Sequence, residues 1–139
     1  MATPTSAATP KSYRSYGVDA FVEQPFHEGH EGVTAQFNWL RFDGGTLAPS
    51  LTPQNTYLLE AGVHFLAHYT PFVQYAKRDY VDMPTLANTY YWQAGFAWWM
   101  SGHQRNLKFS AGRSHTNAIG TTPAIDRTQV LAQLQIFFF

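Results

Sequence analysis

Residues 127–139 read RTQVLAQLQIFFF. Val130, Ala132, Leu134, Ile136 and Phe138 share one parity, Gln129, Gln133 and Gln135 share the other, and Leu131 breaks the pattern. Alternation with period two marks a strand with two unlike faces. Bare phenylalanines at the end of a water-exposed chain would fray and offer a sticky strand edge. The apolar side of this strand therefore expects a medium other than water.

The same alternation recurs in about seven segments. Tyr16, Val18, Ala20 and Val22 oppose Gly17, Asp19, Phe21 and Glu23, and Val33, Ala35, Phe37 and Trp39 oppose Thr34, Gln36 and Asn38. The cleanest case sets Tyr57, Leu59, Ala61, Val63 and Phe65 against Leu58, Glu60, Gly62 and His64. Val73 and Tyr75 stand against Gln74 and Arg78, with Pro71 near the start of that weaker segment. Next, Tyr90, Trp92, Ala94, Phe96 and Trp98 oppose Thr89, Tyr91, Gln93, Gly95 and Ala97. Leu107, Phe109 and Ala111 then oppose Asn106, Lys108, Ser110 and Gly112.

One parity is large and aromatic; the other is small or amidic. A soluble sandwich would turn the apolar parity inward and cover the other with Lys and Glu. Here charged residues make up only 13% of the 139 and aromatics 17%, against about 25% charged in an ordinary soluble domain. The expected fold is all-β, an antiparallel transmembrane β-barrel with apolar residues toward lipid and polar ones inside. No run approaches the length of an apolar membrane helix, and mean hydropathy is below zero, as strands that alternate would give. Nine basic residues balance nine acidic ones, so no net field points to nucleic acid or to an anionic membrane surface. Cysteine is absent, which removes disulfides and thiolate metal sites from consideration.

Residues 1–11 read as a flexible Pro, Ser and Thr segment without the basic start or apolar centre of a signal peptide, and residues 12–139 as the barrel segment. The links alternate between short (FHEGHEG, LAHYT, MSGHQR) and long (DGGTLAPSLTPQ, RDYVDMPTLAN, GRSHTNAIGTTPAIDR). Outer-membrane barrels have short periplasmic turns and longer extracellular loops, so the final strand should run from outside to the periplasm. Tyr80, Tyr90, Tyr91, Trp98, Trp99 and Phe137 to Phe139 collect near strand ends, where interfacial girdles lie. Bacterial barrels have even strand numbers with both termini periplasmic. Seven strands then imply the C-terminal part of a larger barrel of about sixteen.

The last strand, with Val130, Ala132, Leu134, Ile136, Phe138 and terminal Phe139, resembles the C-terminal assembly signal of bacterial outer-membrane proteins. The stretches TPFVQYAKRDY (70–80) and SGHQRNLKFSAGRSH (101–115) resemble the last hairpins of the phosphate-selective porin O and P family. That resemblance implies an outer-membrane channel for small hydrophilic solutes, including anions such as phosphate. The expected partners are outer-membrane lipid, the barrel assembly machinery, those solutes and further copies in a homotrimer. No cofactor and no enzymatic activity are expected: Ser101, Ser110 and Ser114 have no nucleophile-elbow context, and no phosphate loop precedes a helix.

Anion passage needs inward Lys or Arg. Lys108 is in phase with Asn106 and Ser110, and Arg78 with Gln74, whereas Arg14 shares the apolar phase and reads as a rim residue. Asp19, Glu23 and Glu60 share the polar phase and oppose anion selectivity, so a mixed wall that holds water is the competing reading. His64, in phase with Glu60, reads as a hydrogen-bonding wall residue. HEGHE (27–31) has the wrong spacing for a helical HExxH zinc site and reads as a solvated turn. The rival fold is a soluble β-barrel binding an apolar ligand, with its aromatic face turned inward; a small membrane barrel with a structural or adhesive role is the third reading.

Overall fold

The computed structural model describes residues 12–26, 31–100 and 105–136. Seven strands form a single antiparallel sheet in chain order: β1 (Arg14–Phe26), β2 (Glu31–Asp43), β3 (Gln54–His64), β4 (Tyr69–Tyr80), β5 (Thr89–Trp99), β6 (Arg105–Thr116) and β7 (Ile125–Ile136). There is no helix among the described residues. Each strand pairs only with its sequence neighbours. The sheet is open, with β1 and β7 as its two edges.

The register fixes the two faces. One uninterrupted row of paired residues, Val22, Ala35, Ala61, Val73, Ala94, Ala111 and Val130, crosses all seven strands on the apolar face. From β2 to β6 this outer face is the more exposed one: Trp92 is 61% exposed, whereas Asn106 and Ser110 on the inner face are 4% and 6% exposed. The usual relation of polarity to burial is thus inverted. Curvature toward the polar side produces this. Lys108 on β6 and Glu60 on β3 approach to 3.7 Å, although in a flat sheet strands three apart lie about 14 Å from one another. The predicted girdle aromatics divide between the faces: Tyr90 and Trp98 are outward, while Tyr80, Tyr91 and Trp99 share the inner parity. Their positions at strand ends are as read, but pairing parity assigns the face. Phe137, Phe138 and Phe139 lie outside the described residues.

The apolar band on the outer face runs obliquely. Its margin toward the long links is marked by Arg14 on β1, Arg41 on β2, Lys77 on β4, Arg113 on β6 and Thr128 on β7. Through successive pairs Arg41 is level with Tyr16, Lys77 with Val18, and Arg113 and Thr128 with Ala20. The opposite margin drifts the same way. Val130 is level with Val22, beyond which β1 turns polar at Gln24 while β7 continues through Ala132, Leu134 and Ile136. A drift of about six residues across six strand steps is roughly 20 Å along the strands for about 29 Å across them, an inclination of about 35°.

Connections 44–53, 81–88 and 117–124 gather at one end of the sheet; link 65–68 is at the other, with the ends Phe26 of β1, Trp99 of β5 and Ile136 of β7. The long connections are shorter than their sequences suggest, because β4 continues to Tyr80, β6 to Thr116, and β7 starts at Ile125. There the apolar alternation stops before the pairing does: Lys77 with Asp79, and Arg113 and His115 with Asp126, carry the outer face past the band. The β3–β4 link turns through Leu66 (φ 52°) and Ala67 (φ 56°), both left-handed. Primed hairpin turns need this conformation and usually take Asn or Gly, so the sequence carries no signal for it. HEGHE falls on the β1–β2 link, and residues 27–30 lie outside the described residues.

Small inner residues let large ones lie flat. Phe72, 6% exposed, pairs across with Gly95, where an added Cβ would come to 2.5 Å from the ring Cζ. Gly95→Leu is therefore expected to destabilise the fold by about 1–3 kcal/mol through overpacking, measured as a lower midpoint of urea unfolding in detergent micelles. Ala94→Leu, one residue away on the outer face, should leave that midpoint nearly unchanged.

Candidate functional site

The inner face is a wall of amides, hydroxyls and a few charges. Its central row contains Gln36, Glu60, Gln74, Gln93 and Gly112. Pairing places these side chains about 5 Å apart on one face, close enough to satisfy one another. Gln93 Nε2 donates to Gln74 Oε1, and Tyr91 donates its hydroxyl to Gln93 Oε1 at 3.0 Å. Toward β1, Asn38 Nδ2 donates to Asp19 Oδ1 at 2.6 Å, and Gln36 Nε2 donates to Asn38 Oδ1 at 2.9 Å. These bonds, two across neighbouring strands and two along a strand, fix the wall in one arrangement.

The most occluded side chains lie around one ion pair. Lys108 Nζ sits 3.8 Å from the centroid of the Phe72 ring and 3.7 Å from Glu60 Oε2. Ala97, paired directly with Lys108 across β5 and β6, is 6% exposed. Aromatic face and carboxylate together hold the ammonium over the sheet. At 3.7 Å the pair is electrostatic, longer than a hydrogen bond, so the ammonium keeps its donors for a third group. Both side chains retain about 30% exposure, which makes the pair solvent-screened rather than buried.

The remaining predicted site residues flank this pair. His64 Nδ1 is 2.9 Å from Thr70 Oγ1, to which Trp99 Nε1 donates at 3.1 Å. Neither Trp99 nor Thr70 stands out in the alternation as a partner for His64; only the curl of β3, β4 and β5 brings them together. Asn106 Nδ2 donates to Gln135 Oε1 at 3.2 Å, while its buried Oδ1 has no hydrogen-bond partner. A buried acceptor left open is costly and favours an incoming donor such as water. Glu23 lies on the inner parity of β1.

Arg78 is on the inner parity of β4, with its guanidinium 5.1 Å from the Tyr80 ring and no ion pair to a described residue. It borders a hollow lined by Leu40, Leu58, Ala76, Thr56 and Tyr91 toward the long connections. Lys108, Arg78, Asp19, Glu23, Glu60 and His64 thus all occupy one face, with Lys108 matched to Glu60 and Asp19 to Asn38. Arg14 is on the outer parity. Of the terminal assembly signal, Val130, Ala132, Leu134 and Ile136 are on the outer face, and Phe138 and Phe139 lie outside the described residues.

Among the described residues no group of three or more His, Asp or Glu side chains is arranged to hold a metal. No protein-family model, curated protein or solved structure matches the chain.

Proposed function

We propose that this chain forms part of the wall of a transmembrane β-barrel in the bacterial outer membrane, a porin-like channel for passive diffusion of small hydrophilic solutes. The oblique apolar band carries this reading. A planar slab of hydrocarbon crossing tilted strands leaves parallel margins that drift from strand to strand, and the drift of about 35° falls in the tilt range of membrane barrels. Strands of 11–13 residues meet or exceed the roughly 9–11 that a tilted crossing needs. Because β1 and β7 run in the same direction, an antiparallel wall is completed by an odd number of further strands between them.

The inner face suits solute passage better than tight binding. Its charges are mixed and its amides already bonded to one another, so it offers a wet surface with weak, distributed contacts. The resemblance of residues 70–80 and 101–115 to the phosphate-selective porin O and P family supports anions among the solutes. An apolar-ligand barrel would need the aromatic parity inside, and Trp92, Val130 and Leu134 are on the exposed face. The test is conductance of the purified full chain in planar bilayers. Discrete steps with an ohmic current support the channel; incorporation into vesicles without any conductance leaves only the structural or adhesive barrel.

A further inference from the structure

On the outer face, basic side chains occupy the margin of the apolar band toward the long connections. Arg14, Arg41, Lys77 and Arg113 are each the first polar outward residue on their strand at that end. Asp43 and Asp79 follow two residues farther out on β2 and β4, and Asp126 is two paired rows farther out than Arg113. The cations are thus nearest the apolar band. One of them rests on an aromatic ring, Lys77 Nζ lying 5.4 Å from the Tyr90 centroid, and Arg113 is directly paired in register with Trp92.

The aspartates offset only part of this charge. Lys77 contacts Asp79 at 2.6 Å, but Arg113 meets Asp126 through Nη2 alone and remains 69% exposed. Arg14 and Arg41 have no ion pair to a described residue. At the other end the outward positions include Tyr69, Trp98, Ile136 and Glu31, apolar or acidic. The geometry points to a binding belt for the phosphate groups of lipid headgroups in the leaflet on the long-connection side, an inference that rests on the membrane reading above. Lipid phosphate lies where hydrocarbon gives way to water, the depth of these four residues, and the acyl chains of the same molecule cover the apolar band beneath. Basic residues near such a surface are drawn to its phosphates, and guanidinium groups grip phosphate by two hydrogen bonds.

Tryptophan quenching tests this in the full chain. With Trp98→Phe, the outer-face tryptophans are Trp39 and Trp92, both at this end. In vesicles containing brominated phosphatidic acid or brominated phosphatidylcholine at equal mole fraction, phosphatidic acid should be preferred about threefold to fivefold. Arg41→Gln with Arg113→Gln should bring the ratio near one. Arg41→Lys with Arg113→Lys should keep most of it, and Arg78→Gln on the inner face should leave it unchanged. An equal ratio in the parent protein, or a preference untouched by the double glutamine variant, overturns the belt. Loss of the preference with millimolar inorganic phosphate assigns the site to free anion and overturns the lipid source. Quenching by neither lipid overturns the membrane reading itself.

Discussion

Leu134→Arg is expected to abolish membrane assembly. Leu134 lies on the outer face of β7, 59% exposed and paired with Leu107, in the middle of the outward run Val130, Ala132, Leu134 and Ile136. A charge on the lipid face near the bilayer centre costs about 2–4 kcal/mol, which falls toward zero at the interfaces. Gln133→Arg, one residue away, enters the polar face beside Lys108 and should assemble with at most a modest loss from like-charge repulsion. Assembly into vesicles is measured by protection from added protease and by the heat-dependent shift in gel mobility. Equal assembly of both variants would overturn the assignment of faces.

The second large effect is on selectivity. In the proposed channel, Glu60→Gln should release Lys108 from its counter-charge and raise the anion-to-cation permeability ratio. Lys108→Gln should move it the opposite way, leaving Glu60 unopposed. Because both groups are about one third exposed, the coupling belongs with screened pairs of about 1 kcal/mol or less, equivalent to roughly a fivefold change in the ratio. The shift should shrink as salt is raised from about 0.01 M to 1 M, where the screening length contracts from about 30 Å to 3 Å. Reversal potentials across a salt gradient measure both variants. Identical potentials in both would mean that solute does not pass this side of the sheet. The double variant Glu60→Gln with Lys108→Gln provides the control, since it removes both charges and should return near the parent value.

The strands were legible because each carries a period-two pattern, and pairing obeys the same period. Lys108 could be placed with Asn106 and Ser110, and Glu60 with His64, from parity alone. The link at 65–68 was legible only as short: Leu66 and Ala67 adopt left-handed backbone without glycine, held by the hairpin rather than chosen by local preference. The ends of β4, β6 and β7 were misplaced into loops, because the outer residues there are charged and the alternation that identifies a strand fades while its hydrogen bonds continue.

What the sequence determines by itself is therefore the set of strands and the side each residue faces, both local properties of an alternating chain. Tertiary structure decides what meets on each face. The contact of Lys108 with Glu60 over Phe72 joins residues three strands apart, and the slope of the apolar band exists only once successive registers are added. Register and curvature are properties of pairs of strands, set by how side chains pack across the sheet. No single segment contains that information.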